Sequence, residues 1–231
     1  MTVNNQQIII CGGASQPAFD RLNHHIDASR PIQTIGVDAG CMQLIQHGYT
    51  IDFAVGDFDS VSDEEYQLIK KHSRTVIQHP AQKDDTDMEL AMEVALENYP
   101  LATYFILGAI GESKGRLDHM MANIWMVYQP RYQKMLSHMY FVEQHHFLEF
   151  LIEGTHQLKV SGRRSLPDYL SVISMTPTKA LSIQGALYEL QETDFDYPRA
   201  LISNEFVSPE STIQISMEEG LVLILWVNER D

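Results

Sequence analysis

Over residues 1–140 short apolar runs alternate with longer amphipathic stretches: QIII (7–10), TIGV (34–37), FAV (53–55), TVI (75–77), YFIL (104–107) and MYFV (139–142). Each is rich in Ile, Val, Phe or Tyr, and most run straight into Gly or Asp, as buried parallel strands entering loops do. Between them lie helix signals. Ser62-Asp63-Glu64-Glu65 reads as a capping box, in which hydroxyl and carboxylate satisfy each other's backbone amides. Thr86-Asp87-Met88-Glu89 reads as another and predicts a helix with Met88, Ala91, Met92, Ala95 and Leu96 on one face. A third helix is predicted from about Asp118 through Met121, Ile124, Trp125 and Tyr128 to a stop at Pro130. Strands alternating with helices imply an α/β domain built on a parallel sheet.

The rhythm then changes. FLEFLI, HQLKV, LSVISM, ALSIQ, LYELQ, TIQISM and LVLILWV are short β-rich runs separated by Gly, Pro, Asn and Asp, with no helix-length period. They predict a smaller all-β sandwich or barrel after the α/β domain, with domains at 1–145 and 146–231. There is no internal repeat and no Gly/Ser linker.

Sixteen Lys+Arg against 31 Asp+Glu leave a formal charge of −15. That excess opposes broad nucleic-acid binding and adsorption to an anionic membrane. The opening MTVNNQQIII lacks a signal-peptide pattern, and LVLILWV (221–227) is too short to span a bilayer. The two cysteines, Cys11 and Cys41, form no C-x-x-C pair and read as reduced buried thiols rather than a disulfide. The expectation is a cytoplasmic protein.

Acidic residues gather just beyond the predicted strands: Asp38 after TIGV, Asp57 and Asp59 after FAV, Asp84, Asp85 and Asp87 after TVI, and Asp118 after YFIL. In an open parallel sheet the ligand crevice lies at the carboxyl ends of the strands, so these loops can converge. Converging carboxylates repel unless a cation joins them, and hard oxygen donors suit Mg²⁺. Single loop aspartates are common as caps and turns; it is the four loops together that carry the signal. In extended backbone Asp57 and Asp59 would face one ion while Phe58 turns inward. Lys83 precedes a capped helix whose free amides favour an anion, and Arg116 suits bidentate phosphate contact. His119 is a helix-start hydrogen-bonder; the other histidines show no zinc spacing. The chain has no P-loop, which Gly111-Glu112-Ser113-Lys114-Gly115 does not supply, and no G-x-G-x-x-G.

Taken in order, Gly36-Val37-Asp38-Ala39-Gly40, Gly56-Asp57-Phe58-Asp59-Ser60, Lys83-Asp84-Asp85-Thr86-Asp87 and Gly115-Arg116-Leu117-Asp118-His119 resemble the thiamine pyrophosphokinase (thiamine diphosphokinase) family. Gly185-Ala186-Leu187-Tyr188 and Ser203-Asn204-Glu205 extend the resemblance through the β-rich half. It implies Mg²⁺-dependent transfer of the terminal diphosphate of ATP to the thiamine hydroxyl with release of AMP, by a homodimer that binds ATP and Mg²⁺ in its α/β domain and thiamine at its β-sandwich domain, near the subunit interface. By resemblance, Asp57, Asp59, Asp84, Asp87 and Asp118 are the catalytic carboxylates, and Asp57, Asp59, Asp87 and Asp118 the metal ligands. Asp38, Lys83, Thr86, Arg116 and His119 fall at ATP, and Ser203, Asn204 and Tyr188 at thiamine. The chain departs from the compact family pattern by Glu112, Ser113 and Lys114, which separate Gly108-Ala109-Ile110-Gly111 from Gly115-Arg116 and lengthen a loop expected beside the nucleotide. Two other readings stand beside this one. Asp57-Phe58-Asp59-Ser60-Val61 also fits a haloacid-dehalogenase-like phosphohydrolase, although that motif belongs on a first strand. A non-catalytic Mg²⁺–nucleotide-binding protein would bind the same ligands without turnover.

Overall fold

The computed structural model describes residues 6–110, 116–160 and 166–229; the Glu112–Lys114 segment and the flanking Gly111 and Gly115 lie outside them. The chain divides into two units, Met1–Gln144 and His145–Asp231.

In the first unit the described residues form six strands: β1 (Gln7–Cys11), β2 (Ile32–Val37), β3 (Ile51–Gly56), β4 (Ser73–Gln78), β5 (Thr103–Leu107) and β6 (Met139–Val142). Every pairing among them is parallel, in the spatial order β6-β5-β1-β2-β3-β4. Central β1 is covered on both faces, which is why Ile8, Ile9 and Ile10 are consecutive and wholly buried. Edge strand β4 is only half-buried and correspondingly carries Ser73, Arg74, Thr75 and Gln78.

Helices α1 (Phe19–Leu22), α2 (Gly40–Gln46), α3 (Asp63–His72), α4 (Asp87–Asn98) and α5 (Leu117–Trp125) connect the strands. Both predicted capping boxes form: Ser62 Oγ accepts the Glu65 N–H while Glu65 accepts that of Ser62, and Thr86 and Glu89 do the same for α4. The α4 helix then packs over β1, β2 and β3, burying Met88, Ala91, Met92 and Ala95. The third predicted helix is shorter than its pattern. It leaves α geometry at Trp125, tightens to a 3₁₀ turn over Met126–Tyr128, and after Pro130 a second 3₁₀ segment runs over Pro130–His138. Of its apolar positions, Met121 and Ile124 are partly buried, whereas Trp125 and Tyr128 are exposed.

The second unit holds eight strands among its described residues: β7 (His146–Leu151), β8 (Gly154–Lys159), β9 (Tyr169–Ser174), β10 (Thr178–Gln184), β11 (Leu190–Phe195), β12 (Arg199–Asn204), β13 (Thr212–Met217) and β14 (Val222–Val227). They make two antiparallel four-strand arrays, β12-β9-β14-β7 and β11-β10-β13-β8. In β13 Ile213, Ile215 and Met217 alternate inward. β12 escapes the hydrophobic pattern because it is an edge strand with mostly exposed residues.

Candidate active site

The chain builds its first sheet outward from β1 to β4, then returns to the other side of β1 for β5 and β6. The reversal opens a crevice where β1 and β5 end. There the Gly12 N–H donates to Leu107 O at 2.8 Å, and a Cβ on Gly12 would lie 2.6 Å from Gly108 O. Only glycine lets the two strand exits approach so closely. A cavity of about 500 Å³ occupies the crevice, walled by residues 12–15 after β1, 37–39 at the end of β2, 86–88 at the head of α4 and 108–110 after β5. Ser60, Arg116, His119, Met120 and Asn123 complete the lining.

Three carboxylates meet on its acidic side. Oxygens of Asp38, Asp57 and Asp87 lie within 4.8 Å of one another. Asp38 sits at φ 46° and Phe58 at φ 61°, and the two are linked: Asp38 Oδ1 accepts the Phe58 N–H at 3.0 Å. A Cβ on Gly56 would fall 1.9 Å from that same oxygen. Burial, reinforced by the charges of Asp87, Asp57 and Asp59, pushes the Asp38 carboxyl up to about 6 despite the Phe58 hydrogen bond. Lys83 answers the charge, its Nζ lying 2.7 Å from Asp87 Oδ1 and 3.4 Å from Asp57 Oδ2. Burial opposes the ammonium, but hydrogen bonding and attraction from these two carboxylates outweigh it and raise its pKa. Burial likewise works against the Asp57 charge, yet the Asp59 N–H and Lys83 hold its carboxyl below the usual range.

This grouping differs from the set read from the motifs. Asp38 joins Asp57 and Asp87, whereas Asp59 and Asp118 stand outside the triad. The premise of extended backbone at Asp57–Asp59 fails because the chain turns at Phe58; the Asp59 N–H folds back onto Asp57 Oδ1 at 3.2 Å and leaves the Asp59 side chain exposed. Phe58 does turn inward and is buried. Asp118 pairs with Arg116, Nε to Oδ1 3.2 Å, in an exposed fork at the cavity rim. Asp84 is exposed and outside the triad. Of the positions expected at the nucleotide, Asp38, Thr86, Arg116 and His119 line the cavity, and Lys83 abuts it through Asp87.

Two supports were not legible as motifs. Buried Glu143, just past β6, accepts the N–H groups of Ala109 and Ile110, while Asn123 of α5 donates to Ala109 O at 2.6 Å. Together they fix the 108–110 wall. Arg131 grips Asp85 with both terminal nitrogens, at 2.8 and 2.7 Å. Cys11 and Cys41 are buried free thiols, and burial raises both pKa values, that of Cys41 to about 12.

Comparison with known proteins decides the lineage. A family model described as "Thiamin pyrophosphokinase, catalytic domain" matches residues 28–139, and "Thiamin pyrophosphokinase, vitamin B1 binding domain" matches residues 155–222. The chain belongs to the thiamin pyrophosphokinase family. A thiamine pyrophosphokinase of Bacillus subtilis is 29% identical over 184 residues, 80% of this chain and 77% of the relative. A solved thiamin pyrophosphokinase family protein from Enterococcus faecalis superposes with a TM-score of 0.84 at 29% identity, covering 98% of this chain and 100% of that one. The crystal structure of a thiamine pyrophosphokinase from Bacillus subtilis gives 0.79 at 26% identity, covering 97% and 100%. The phosphohydrolase reading falls with this match, and in the fold its supposed nucleophile follows the third strand, not the first.

Within the thiamin pyrophosphokinase frame, the acidic loops from Asp38 to Asp118 all lie inside the catalytic match. Tyr188, Ser203 and Asn204 lie inside the vitamin B1 binding match. Asn204 is buried, and its amide is spent on backbone: Oδ1 accepts the N–H groups of Tyr188 and Glu205, both at 2.9 Å, and Nδ2 donates to Tyr188 O at 2.7 Å. It therefore holds the turn that presents Tyr188, whose ring is exposed. Ser203 sits at φ 58° with its side chain exposed, its N–H directed to Ser171 Oγ at 3.4 Å.

Proposed function

We propose that this chain catalyses Mg²⁺-dependent transfer of the terminal diphosphate of ATP to the hydroxyl of thiamine, releasing AMP, and does so in the cytoplasm as a homodimer. The observation that carries the reading is the convergence of Asp38, Asp57, Asp87 and Lys83 beside the switch-point cavity, in a chain of this family.

The donor set fits magnesium: three hard carboxylate oxygens within reach of one another, with open cavity beside them for phosphate and water ligands. Asp38, Asp57 and Asp87 would hold the ion, and bound magnesium supplies charge neutralisation for the polyphosphate. Lys83 offers an ammonium and Arg116 a guanidinium at the rim, and the head of α4 presents free amides for phosphate oxygens. Such transfer depends on alignment and charge neutralisation more than on a strong nucleophile. The thiamine hydroxyl attacks the β-phosphorus in line with the departing AMP oxygen. Its proton goes to a carboxylate, for which the exposed Asp59 and Asp118 are proposed. Ser203 and Tyr188 are proposed to contact thiamine, with Asn204 setting the Tyr188 turn. An acidic surround also favours a cationic thiazolium.

Exposed Leu187, Tyr188, Ile202 and Val207 around that turn, and Leu117 and Trp125 on α5, support a dimer that covers them. Two buried free thiols agree with a reducing compartment, and no described helix is long and apolar enough to cross a membrane. The test is AMP release from purified protein, ATP and Mg²⁺ with and without thiamine. Release that requires thiamine and stops with EDTA supports the reading; release indifferent to thiamine overturns it.

A further inference from the structure

The turn that delivers Lys83 and Asp87 to the cavity is fastened from outside the site. Arg131, at the start of the Pro130–His138 segment, binds Asp85 bidentately at 2.7 and 2.8 Å and reaches Glu93 at 3.5 Å. The guanidinium is itself held, Nε donating to Gln129 Oε1 at 2.7 Å and the group lying 4.9 Å from the centre of the Tyr132 ring. Gln129 also bonds Glu89, the residue that closes the α4 capping box, and the Tyr132 hydroxyl donates to Glu89 O at 2.9 Å. Residues 129–132 thus grip the chain on both sides of Asp87, at Asp85 and at Glu89. These attachments restrain the backbone that carries Asp87.

Resting on the function proposed above, we propose that Arg131 is a positioning residue for the metal–phosphate site: through Asp85 it sets where Asp87 and Lys83 stand. Magnesium demands near-ideal ligand geometry, so a displacement of a few tenths of an ångström at Asp87 weakens binding. The sign of the effect separates positioning from simple electrostatics. Through space, removing the Arg131 charge makes the site more negative and tightens a cation, while removing the Asp85 charge loosens it. If Arg131 and Asp85 act as one latch, losing either loosens the cation, and losing both does no further harm.

The experiment titrates MnCl₂ into the intact protein, following free Mn²⁺ by electron paramagnetic resonance, for wild type, Arg131→Ala, Asp85→Ala and the double variant. Both single variants are expected to bind Mn²⁺ about five- to tenfold more weakly, the double variant no more weakly than either, and Arg131→Lys to recover only part because it lacks the planar fork. The Mg²⁺ concentration for half-maximal turnover rises by a similar factor, while KM for thiamine stays. Tighter or unchanged Mn²⁺ binding in Arg131→Ala, or additive losses in the double variant, overturns the proposal. So does a fall in melting temperature with Mn²⁺ binding intact. If Arg131→Ala does not fold, Asp85→Asn carries the same prediction. Wild type that binds Mn²⁺ but does not turn over thiamine and ATP refutes the function and still leaves the binding cycle to decide on Arg131.

Discussion

Glu143 offers a sharp local test of how the cavity wall is held. It is 7% exposed, and a single oxygen, Oε1, accepts both the Ala109 N–H at 3.0 Å and the Ile110 N–H at 2.9 Å. Glu143→Ala strands both donors. A buried donor without an acceptor costs ~1–3 kcal/mol, so two cost ~2–6 kcal/mol before the wall relaxes toward the cavity. Relaxation at the half-exposed Ile110 trims this to roughly 2–4 kcal/mol. Glu143→Gln keeps a side-chain oxygen that can accept both N–H groups and should cost less, ~0.5–1.5 kcal/mol. Hydrogen exchange read by mass spectrometry on a peptide spanning 105–110 isolates the effect from the rest of the chain. Protection of those amides should fall ~30-fold or more in Glu143→Ala and no more than ~13-fold in Glu143→Gln. KM for ATP should rise in the Ala variant, with KM for thiamine unmoved. Equal deprotection by both substitutions, or none by Ala, would refute the assignment of Glu143 as the anchor of this wall.

Other consequences follow from the triad. Asp57→Asn removes a carboxylate that Lys83 also contacts and should abolish most turnover while the circular dichroism spectrum and melting curve stay near wild type; a folded variant with near-normal rate would remove Asp57 from the metal set. Gly56→Ala places a methyl 1.9 Å from Asp38 Oδ1, and should cost ~1–3 kcal/mol in urea unfolding and lower Mg²⁺ affinity together; unchanged affinity would mean Asp38 is not a ligand. Asp38, at about 6, is protonated below that pH and must lose its proton before it can hold a cation. Mg²⁺ affinity measured by calorimetry should therefore weaken as pH falls from 7 to 5, by up to ~10-fold per unit below the pKa, and Asp38→Asn should flatten that step. An equally steep dependence in Asp38→Asn would assign the titration to another group.

Regular elements were the most legible part of the chain. Buried parallel strands announce themselves as continuous Ile/Val/Phe runs, and all six in the first unit stand where those runs lie. Both capping boxes were readable because their bonds are local, spanning three residues. The third helix ends about a turn short of its pattern, and of its apolar positions Trp125 and Tyr128 face solvent while Met121 and Ile124 are only partly buried, so period alone does not mark a core face. β12 was missed because an exposed edge strand has no alternation to show. At the site, motif order located the right loops but not their internal geometry. Whether Asp59 can share an ion with Asp57 depends on the left-handed turn at Phe58, which a bonded Asp38 20 residues away stabilises. Arg131 and Glu143 act across 46 and 34 residues respectively, on Asp85 and Ala109, and no local spacing encodes partners at that range.

The central claim is diphosphate transfer, and the products decide it. Phosphorus NMR of a single reaction containing protein, thiamine, ATP and Mg²⁺ distinguishes every outcome. Thiamine diphosphate and AMP are expected in equal amounts, with neither formed in EDTA; thiamine monophosphate with ADP, or inorganic phosphate with thiamine untouched, would contradict diphosphate transfer.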